Sequence, residues 1–357
     1  MDSAELPGIW DATTPGREEF RARRVVVDDM KPAVGVVFRP DFSPETLRHI
    51  AQSVDHTAVD ELWLWEDCFL QGAVAQAAVA LASSYTVAVG VGVIPAPLRS
   101  VVATAMEIAT LARMFPGRVR VGIGHGVQSW MRQAGVAVAS PLTLMREYVV
   151  TLQDLLAGRE VSVEGRYVHL ANVILDWVPA EPVPVFIGGA GPKTLRLAGE
   201  IADGVILDCQ NTPATVRDAL AHVAAGRAGR AGSKFATVMY LACAPGPNAS
   251  RRLLEEAAKW TVSPPGDFGV GGSAEQIAAA SAPYLDAGVD TVVFQPVGGQ
   301  DDMDALVRAV DEVARSWPHM ADAARSVGPP GRQTPQHSSS LGAPQTAHPA
   351  PLRKEPR

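Results

Sequence analysis

The feature of this sequence that most restricts its fold is a repeated alternation between β-branched apolar runs and helical patterns. From Ala33 to Trp317 eight such strand-and-helix pairs can be counted, each taking roughly 30 residues, the size of a βαβ repeat unit. Strands that alternate with helices pair in parallel through right-handed crossovers, and eight units favour a closed barrel over an open sheet. The sequence therefore predicts an α/β fold, a (β/α)8 TIM barrel.

The predicted strands and domain limits follow from these patterns. A segment at Val161–Leu175 breaks the rhythm and alternates like a hairpin, so we predict an excursion that lies across the barrel mouth. We expect three regions: an N-terminal extension (1–32), the barrel (33–320) and a disordered Pro/Gly-rich tail (321–357). The eight predicted strands are Ala33–Phe38, Leu62–Glu66, Thr86–Ile94, Arg118–Ile123, Val183–Ile187, Val205–Leu207, Ala236–Ala244 and Thr291–Gln295.

Composition excludes several classes of function. Apolar residues make up 47% of the chain, enough for a large core, and the net charge of −7 gives no basic surface for nucleic acid. The three cysteines have neither metal-ligand nor redox spacing, which favours a reduced, cytoplasmic location and no metal. No apolar stretch reaches membrane-spanning length. We therefore expect neither nucleic acid nor a membrane as a partner.

A glycine-rich turn follows the fifth predicted strand. The strand meets Gly188, Gly189, Ala190 and Gly191, and a helix then opens at Pro192. Glycines let a backbone approach an anion closely, and the first N–H groups of a helix point at it with the helix dipole behind them. The turn is a candidate phosphate site, although an ordinary strand-to-helix turn rich in glycine is an equally open interpretation.

A second glycine-rich loop ends the fourth predicted strand, at Gly122, Gly124 and Gly126. Glycines on one face of a strand leave room for a flat ligand or another backbone. His125 lies between them at the C-terminal rim, where barrel chemistry is located. It is a candidate catalytic residue, with a hydrogen-bonding or phosphate-contacting role as the alternative.

Two further strand ends carry polar or irregular features. Glu66 and Asp67 follow the second strand, and since neighbours on a strand face opposite ways, only one is expected to point into the mouth; a helix cap or salt bridge is the alternative. Cys68 beside two acids is not expected to have a lowered pKa. In the third strand, glycines that include Gly92 predict a bulge at Gly92-Val93.

Taken together, these four segments resemble the bacterial luciferase-like flavin-dependent oxidoreductases, and most of all the branch that uses the deazaflavin coenzyme F-420. The resemblance runs from Val34 to Trp317 and is most specific in LAGEIADG, RVGIGHG and WEDCF. It implies a barrel that holds the cofactor ring against a non-prolyl cis peptide at Gly92-Val93, with phosphate contacts at Gly124–Gly126 and Gly188–Gly191. Asp67, Cys68 and His125 would adjoin the ring, with Asp67 and His125 as the candidates for proton transfer.

Two departures from the family pattern limit what the resemblance implies. Several relatives have Asp-His where this chain has Asp67-Cys68, and the sugar-phosphate branch has glutamate where this chain has Val127. Glucose 6-phosphate is therefore a poor substrate hypothesis, and the proton donor stays open.

The sequence thus predicts an enzyme that transfers hydride between F-420 and a small organic substrate. The alternatives are a monooxygenase that uses FMN with molecular oxygen and a non-catalytic flavin-binding protein. A sugar-phosphate aldolase or isomerase is disfavoured because no lysine lies at the C-terminal end of a predicted strand. The nearest candidate, Lys234, precedes its strand and therefore lies on the opposite face of the barrel. Relatives in this family are often dimers, so the resemblance also implies a homodimer as a possible assembly.

The substrate itself is not predicted beyond an apolar or aromatic character. We expect three segments to line the pocket: Gln128–Ser140, the Val161–Leu175 hairpin and the Ser263–Gly272 loop. The apolar character is suggested by Trp130, Met131, Trp177 and Phe268, although packing in the core is an open alternative for all four.

Overall fold

A closed barrel of parallel strands forms the centre of the protein. The computed structural model describes residues 32–230, 232–259 and 268–326, with side chains up to Trp317. Neighbouring strands follow the order β1–β2–β3–β4–β7–β8–β9–β11, and the pairing of β11 with β1 closes the ring. These eight strands are β1 (Ala33–Val37), β2 (Glu61–Leu64), β3 (Ala88–Pro95), β4 (Val119–Gly124), β7 (Val185–Gly188), β8 (Gly204–Leu207), β9 (Ala236–Pro245) and β11 (Thr291–Pro296). The predicted TIM barrel is confirmed.

Helices connect the strands on the outside of the barrel. Proline occupies the first turn of three of them, and side-chain caps start others, as at Ser100 and Ser273. The helices are α1 (Leu47–Asp55), α2 (Ala73–Ala82), α3 (Val101–Met114), α4 (Gln128–Gln133), α5 (Pro141–Leu156), α6 (Pro192–Ile201), α7 (Pro213–Gly226), α8 (Ala249–Lys259), α9 (Ala274–Asp286) and α10 (Met303–Ser326).

The last helix corrects one predicted boundary. Helix α10 continues to Ser326, past the limit at residue 320 that the sequence predicted for the barrel. The predicted N-terminal extension, apart from residue 32, and the tail beyond Ser326 lie outside the described residues. No helix within the described ranges is long and apolar enough to span a membrane.

Two layers of apolar side chains account for the core. Strand β2 shows how alternation divides them: Leu62 and Leu64 pack outward against the helices, whereas Trp63 points into the barrel. Inside, the Trp63 ring meets the rings of Phe186 at 6.1 Å and Tyr240 at 5.9 Å, both edge to face. Because these rings fill the lower barrel, a ligand has room only at the mouth, where the strands end.

The excursion between β4 and β7 is a hairpin, but its position differs from the prediction. Strands β5 (Val161–Glu164) and β6 (His169–Val173) pair with each other and not with the barrel. The Glu147 carboxylate of α5 accepts the backbone N–H groups of the hairpin turn, at residues 166–168. The hairpin therefore runs beside α5 on the outside of the barrel, and the described contacts do not carry it across the mouth.

Candidate functional site at the barrel mouth

The third strand is irregular where it enters the mouth. The peptide bond between Gly92 and Val93 is cis, as the resemblance implied, and the pairing of β3 with β4 shifts between Val91 and Ile94, as the glycines predicted. The Tyr240 hydroxyl donates a hydrogen bond of 3.1 Å to the Gly92 carbonyl oxygen. Burial raises the pKa of Tyr240 well above its ordinary value, so this phenol keeps its proton and remains a donor.

The side chain of Val93 sits between two of the predicted ligand-binding glycines. A Cβ atom on Gly188 would lie 2.5 Å from Val93 Cγ1, and one on Gly124 would overlap Val93 Cγ2. At Gly122, the corresponding space is taken by Ile206 and by the backbone of Val91 and Gly92. The glycines of the fourth strand were expected to leave room for a flat ligand or for another backbone. The first alternative is wrong for the side-chain space, which protein atoms fill, whereas the close backbone approach at Gly122 agrees with the second. What these glycines create is an apolar floor at Val93.

Asp67 stands beside this floor at the end of β2. Its Oδ2 accepts a hydrogen bond of 2.8 Å from Trp65 Nε1, which leaves Oδ1 for a ligand. Burial and the nearby charge of Asp41 raise the pKa of Asp67 above its ordinary value, against the opposing effects of Trp65 and Arg39. A carboxyl group with a raised pKa can hold a proton at a higher pH than an exposed aspartate does.

Glu66 takes the structural role that the sequence left as an alternative. Its carboxylate forms a two-pronged ion pair with Arg99, at 3.0 and 3.1 Å, and accepts the backbone N–H of Ala73 at the start of α2. The Glu66 backbone N–H also donates to the Val93 carbonyl oxygen at 3.2 Å. Of the two adjacent acids, only Asp67 is therefore available to a ligand.

His125 connects the two glycine-rich loops. Its Nε2 is 3.0 Å from the Thr194 hydroxyl in the first turn of α6, while its buried Nδ1 has no hydrogen-bond partner among the described residues. Burial lowers the pKa of His125, against a smaller opposing effect of the Pro141 backbone, which lies near the ring without a well-formed hydrogen bond to it. The ring is therefore neutral near pH 7 and offers one nitrogen to a ligand.

The turn Gly188–Gly191 leads into a helix long enough to carry a useful dipole. Gly191 is the N-cap of α6, and a Cβ atom there would meet nothing within 4 Å. Gly191, Pro192 and Lys193 are exposed to solvent. This is the part of the mouth where an anion could lie against a helix N-terminus with a lysine beside it.

The thiol of Cys68 does not supply a reactive group. Burial, followed by the charges of Glu66 and Asp67, raises its pKa above the ordinary value of 9.0. This agrees with the expectation from its acidic neighbours. The cis peptide bond between Cys68 and Phe69 was not predicted from the sequence.

Two groups near the mouth escaped sequence reasoning. Gln295 on β11 is 3% exposed, and its Nε2 has no hydrogen-bond partner among the described residues. Glu256 on α8 is 1% exposed and forms an ion pair of 3.2 Å with Arg39, which follows β1. A polar residue at the C-terminal end of an apolar strand was the available signal for Gln295, whereas the contact of Glu256 joins residues that are distant in sequence.

The residues that suggested an apolar substrate are spread over the molecule. Met131 and Phe268 are buried, and Trp177 packs over the Arg113 guanidinium, 4.8 Å from its centre, at the end of α3 far from the mouth. Trp130 is half-buried. On the rim loops, the exposed apolar side chains include Phe69, Leu70 and Val127, at 62%, 56% and 46%. Of the predicted lining segments, 128–140 lies at the rim, whereas residues 263–267 of the Ser263–Gly272 loop lie outside the described residues.

Comparisons with known proteins show which family the chain belongs to. Residues 26–287 match the family model described as luciferase-like monooxygenase. The chain is 28% identical over 198 residues to 5,10-methylenetetrahydromethanopterin reductase of Methanolobus tindarius, covering 55% of this chain and 60% of that protein. It is 35% identical over 121 residues to the F-420-dependent glucose-6-phosphate dehydrogenase of Nakamurella multipartita, covering 32% and 35%.

The fold is shared with solved structures. An F-420-dependent secondary alcohol dehydrogenase, in complex with an F-420–acetone adduct, superimposes with a TM-score of 0.70 at 20% identity, covering 80% of this chain and 99% of that one. The sequence matches to curated relatives are shorter, since they span about three fifths or less of those proteins.

Proposed function

Because the chain belongs to the luciferase-like monooxygenase family, we propose that it is an oxidoreductase that binds coenzyme F-420 at the barrel mouth and exchanges hydride with a small organic substrate. The observation that carries this proposal is the apolar floor at Val93, flanked by Asp67 on one side and by His125 on the other. A flat ring on such a floor would have a carboxyl group and a neutral imidazole within reach of its edges.

The donor set fits a flavin-type cofactor. His125 Nδ1 is buried without a partner, and the N-terminus of α6 has open space at Gly191 for a phosphate group. The protein would bind the ring at Val93 and the phosphate at Gly188–Gly191. When bound, F-420 supplies or accepts the hydride, and this chain orients it and excludes water.

Asp67 would hold the proton that accompanies hydride transfer. Its Oδ1 is the oxygen not engaged by Trp65, and the raised pKa lets the carboxyl group hold a proton at a higher pH than an exposed aspartate does. His125 would donate or accept a hydrogen bond through Nδ1. With Cys68 in place of a histidine, no second imidazole adjoins Asp67 in the sequence.

The cofactor can be identified by titration of the purified protein with F-420 and with FMN, followed by absorbance and fluorescence. We expect F-420 to bind with a micromolar dissociation constant and FMN to bind more weakly. Binding of FMN without binding of F-420 would instead support a monooxygenase, the alternative favoured by the description of the family model. If Asp67→Ala leaves turnover of an identified substrate unchanged, the proposed proton role is wrong.

The phosphate end of the site has its own test. Gly191→Asp places a negative charge in open space at the N-cap, where aspartate stabilises the helix but repels a phosphate. We expect weaker binding of FMN and F-420, unchanged binding of riboflavin, which has no phosphate, and no loss of thermal stability. Gly191→Asn is the uncharged control. Equal losses for FMN and riboflavin would place the phosphate elsewhere.

A further inference from the structure

Gln295 points into the barrel mouth from the strand that closes the ring. Two residues earlier on β11, Val293 belongs to the inner cluster with Trp63, while Phe294 packs outward. Alternation along the strand therefore turns Gln295 inward, one step nearer to the mouth than Val293. Its neighbour across the sheet is Ala242 of β9, whose methyl group offers no hydrogen bond.

The amide nitrogen of Gln295 lacks a strong acceptor. Cys209 lies near it. Burial and then the charge of Asp208 raise the pKa of Cys209 to about 12 and outweigh the Gln295 amide, which acts to lower it, so the sulfur is a neutral thiol and only a weak acceptor for the amide. Within the described residues, Nε2 has no hydrogen-bond partner. Buried donors in folded proteins are almost always paired, and an unpaired one at a mouth is ready for a ligand.

We infer that Gln295 binds the cofactor ring, with its side-chain amide donating a hydrogen bond to a carbonyl oxygen of a flavin-type ring. This inference rests on the proposed function. Two observations support it: the amide is buried and unpaired on one wall of the mouth, and His125 Nδ1 is buried and unpaired on another. A ring held between them would satisfy both groups. Since a glutamine neither gives nor takes a proton, its contribution is to hold the ring in place.

The main variant is Gln295→Met, which keeps the length of the side chain and removes the donor. Loss of one hydrogen bond to a neutral acceptor is expected to raise the dissociation constant for F-420 about tenfold. Because the donor is unpaired without ligand, the melting temperature of the ligand-free variant is expected to equal or exceed that of the wild type. A residue with a structural role would give the opposite thermal result.

Gln153→Met is the matched control. Gln153 Nε2 donates to Asp203 Oδ2 at 3.3 Å, on the outside of the barrel and away from the mouth. Removal of this paired amide is expected to leave the dissociation constant for F-420 unchanged and not to raise the melting temperature of the ligand-free protein.

A second variant tests the direction of the hydrogen bond. In Gln295→Glu the buried carboxylate accepts but cannot donate, so at pH 8 binding of F-420 is expected to be weaker than in Gln295→Met. A buried carboxylic acid keeps its proton to a higher pH than an exposed one, and in that form it can donate. Binding by this variant, measured relative to the wild type at each pH, is therefore expected to recover toward pH 5.

The outcomes separate the two hypotheses. If the wild type binds neither F-420 nor FMN, the proposed function is wrong. If the wild type binds F-420 and Gln295→Met binds it within twofold of the wild type, the function stands and the inference about Gln295 is overturned. A lower melting temperature of ligand-free Gln295→Met would overturn it as well, because it would show that the amide already has a partner.

Discussion

At the scale of single residues, Asp67 links the chemistry of the mouth to stability. Its pKa in the folded protein is raised above the ordinary value of 3.8, chiefly by burial. Its contribution to stability is therefore full below the pKa of the unfolded chain and is lost as the pH rises through the pKa of the folded protein. Above the pKa of the folded protein, the ionised carboxylate lowers the stability of the fold.

Asp67→Asn is therefore expected to melt at a higher temperature than the wild type at pH 7, and this difference should shrink toward pH 4. The amide oxygen of asparagine can still accept the hydrogen bond from Trp65. A loss of turnover in this variant would therefore reflect the missing proton-transfer group and not a rearranged site. Asp290→Asn is the control for turnover. Burial also raises the pKa of Asp290, but this carboxylate accepts the Thr237 N–H far from the mouth, so turnover should be unchanged. Thermal unfolding across pH tests the sign, and a lower melting temperature of Asp67→Asn at pH 7 would contradict it.

The stability effects of substitutions at Val93 and Gly188 are expected to be coupled, because the two residues share one space. Gly188→Ala would place a methyl group 2.5 Å from Val93 Cγ1, and a β-branched side chain has few rotamers with which to move away. We expect a loss of about 1–3 kcal/mol in the free energy of unfolding, largely restored in the double variant with Val93→Ala. Denaturant unfolding of the four proteins of this cycle measures the coupling. Gly191→Ala, in open space, should change little, and additive effects of the pair would mean that no clash exists.

Only part of the candidate site could be predicted from the sequence. Asp67, His125 and the glycine turns could be placed at the mouth because they directly follow apolar strands. That Val93 would fill the space at Gly124 and Gly188 could not be predicted, because it depends on how residues from three strands meet. The unpaired state of Gln295 likewise depends on Ala242 of β9 and on Cys209, which follows β8.

At the scale of elements, one carboxylate of α5 holds the turn of the hairpin β5–β6. Burial acts to raise the pKa of Glu147, but three backbone N–H groups of the turn outweigh it and hold the pKa below its ordinary value of 4.5. The stabilisation is therefore present at neutral pH and is lost as the pH falls through the pKa of the folded protein.

Glu147→Ala is expected to speed amide hydrogen exchange in the hairpin at pH 7, with little change in the exchange of the barrel strands. Because the hairpin lies outside the mouth, binding of F-420 should be unchanged. Glu164→Ala, at an exposed position on β5, is the control. Weaker cofactor binding by Glu147→Ala would contradict this position and would indicate that the hairpin reaches the mouth.

Elements were easier to predict than their arrangement. All eight barrel strands follow from apolar periodicity, and their limits agree with the predicted ones to within two residues. The short helix α4 and strand β10 (Val270–Gly272) were missed, because segments of three to six residues carry too little periodicity. The side on which the hairpin packs was not predictable, since it depends on the distant Glu147.

At the scale of the whole molecule, the outer face of α2 and α3 suggests where a second copy would dock. Helix α2 carries no charged residue, and Val79 on α2 and Met106 on α3 are exposed, at 42% and 57%. Exposed apolar side chains on such a face can pair with their own copies across a two-fold axis. We propose that a homodimer forms through this face.

Val79→Glu combined with Met106→Glu is expected to convert the dimer to a monomer, as measured by sedimentation or light scattering. Val150→Glu on α5 is the control, because it changes an exposed valine at 39% on a different face. A protein that is already monomeric, or a dimer unchanged by the double substitution, would contradict this interface.

The packing of Val93 against two glycines has a consequence for the evolution of the sequence. One side chain on β3 occupies the volume left by glycines on β4 and β7, so the three positions share a single space. Across related sequences, residues 93, 124 and 188 should therefore co-vary: where position 93 is smaller, one of the glycines is free to become alanine or serine. A library that randomises these positions jointly would contain functional combinations that single substitutions never reach.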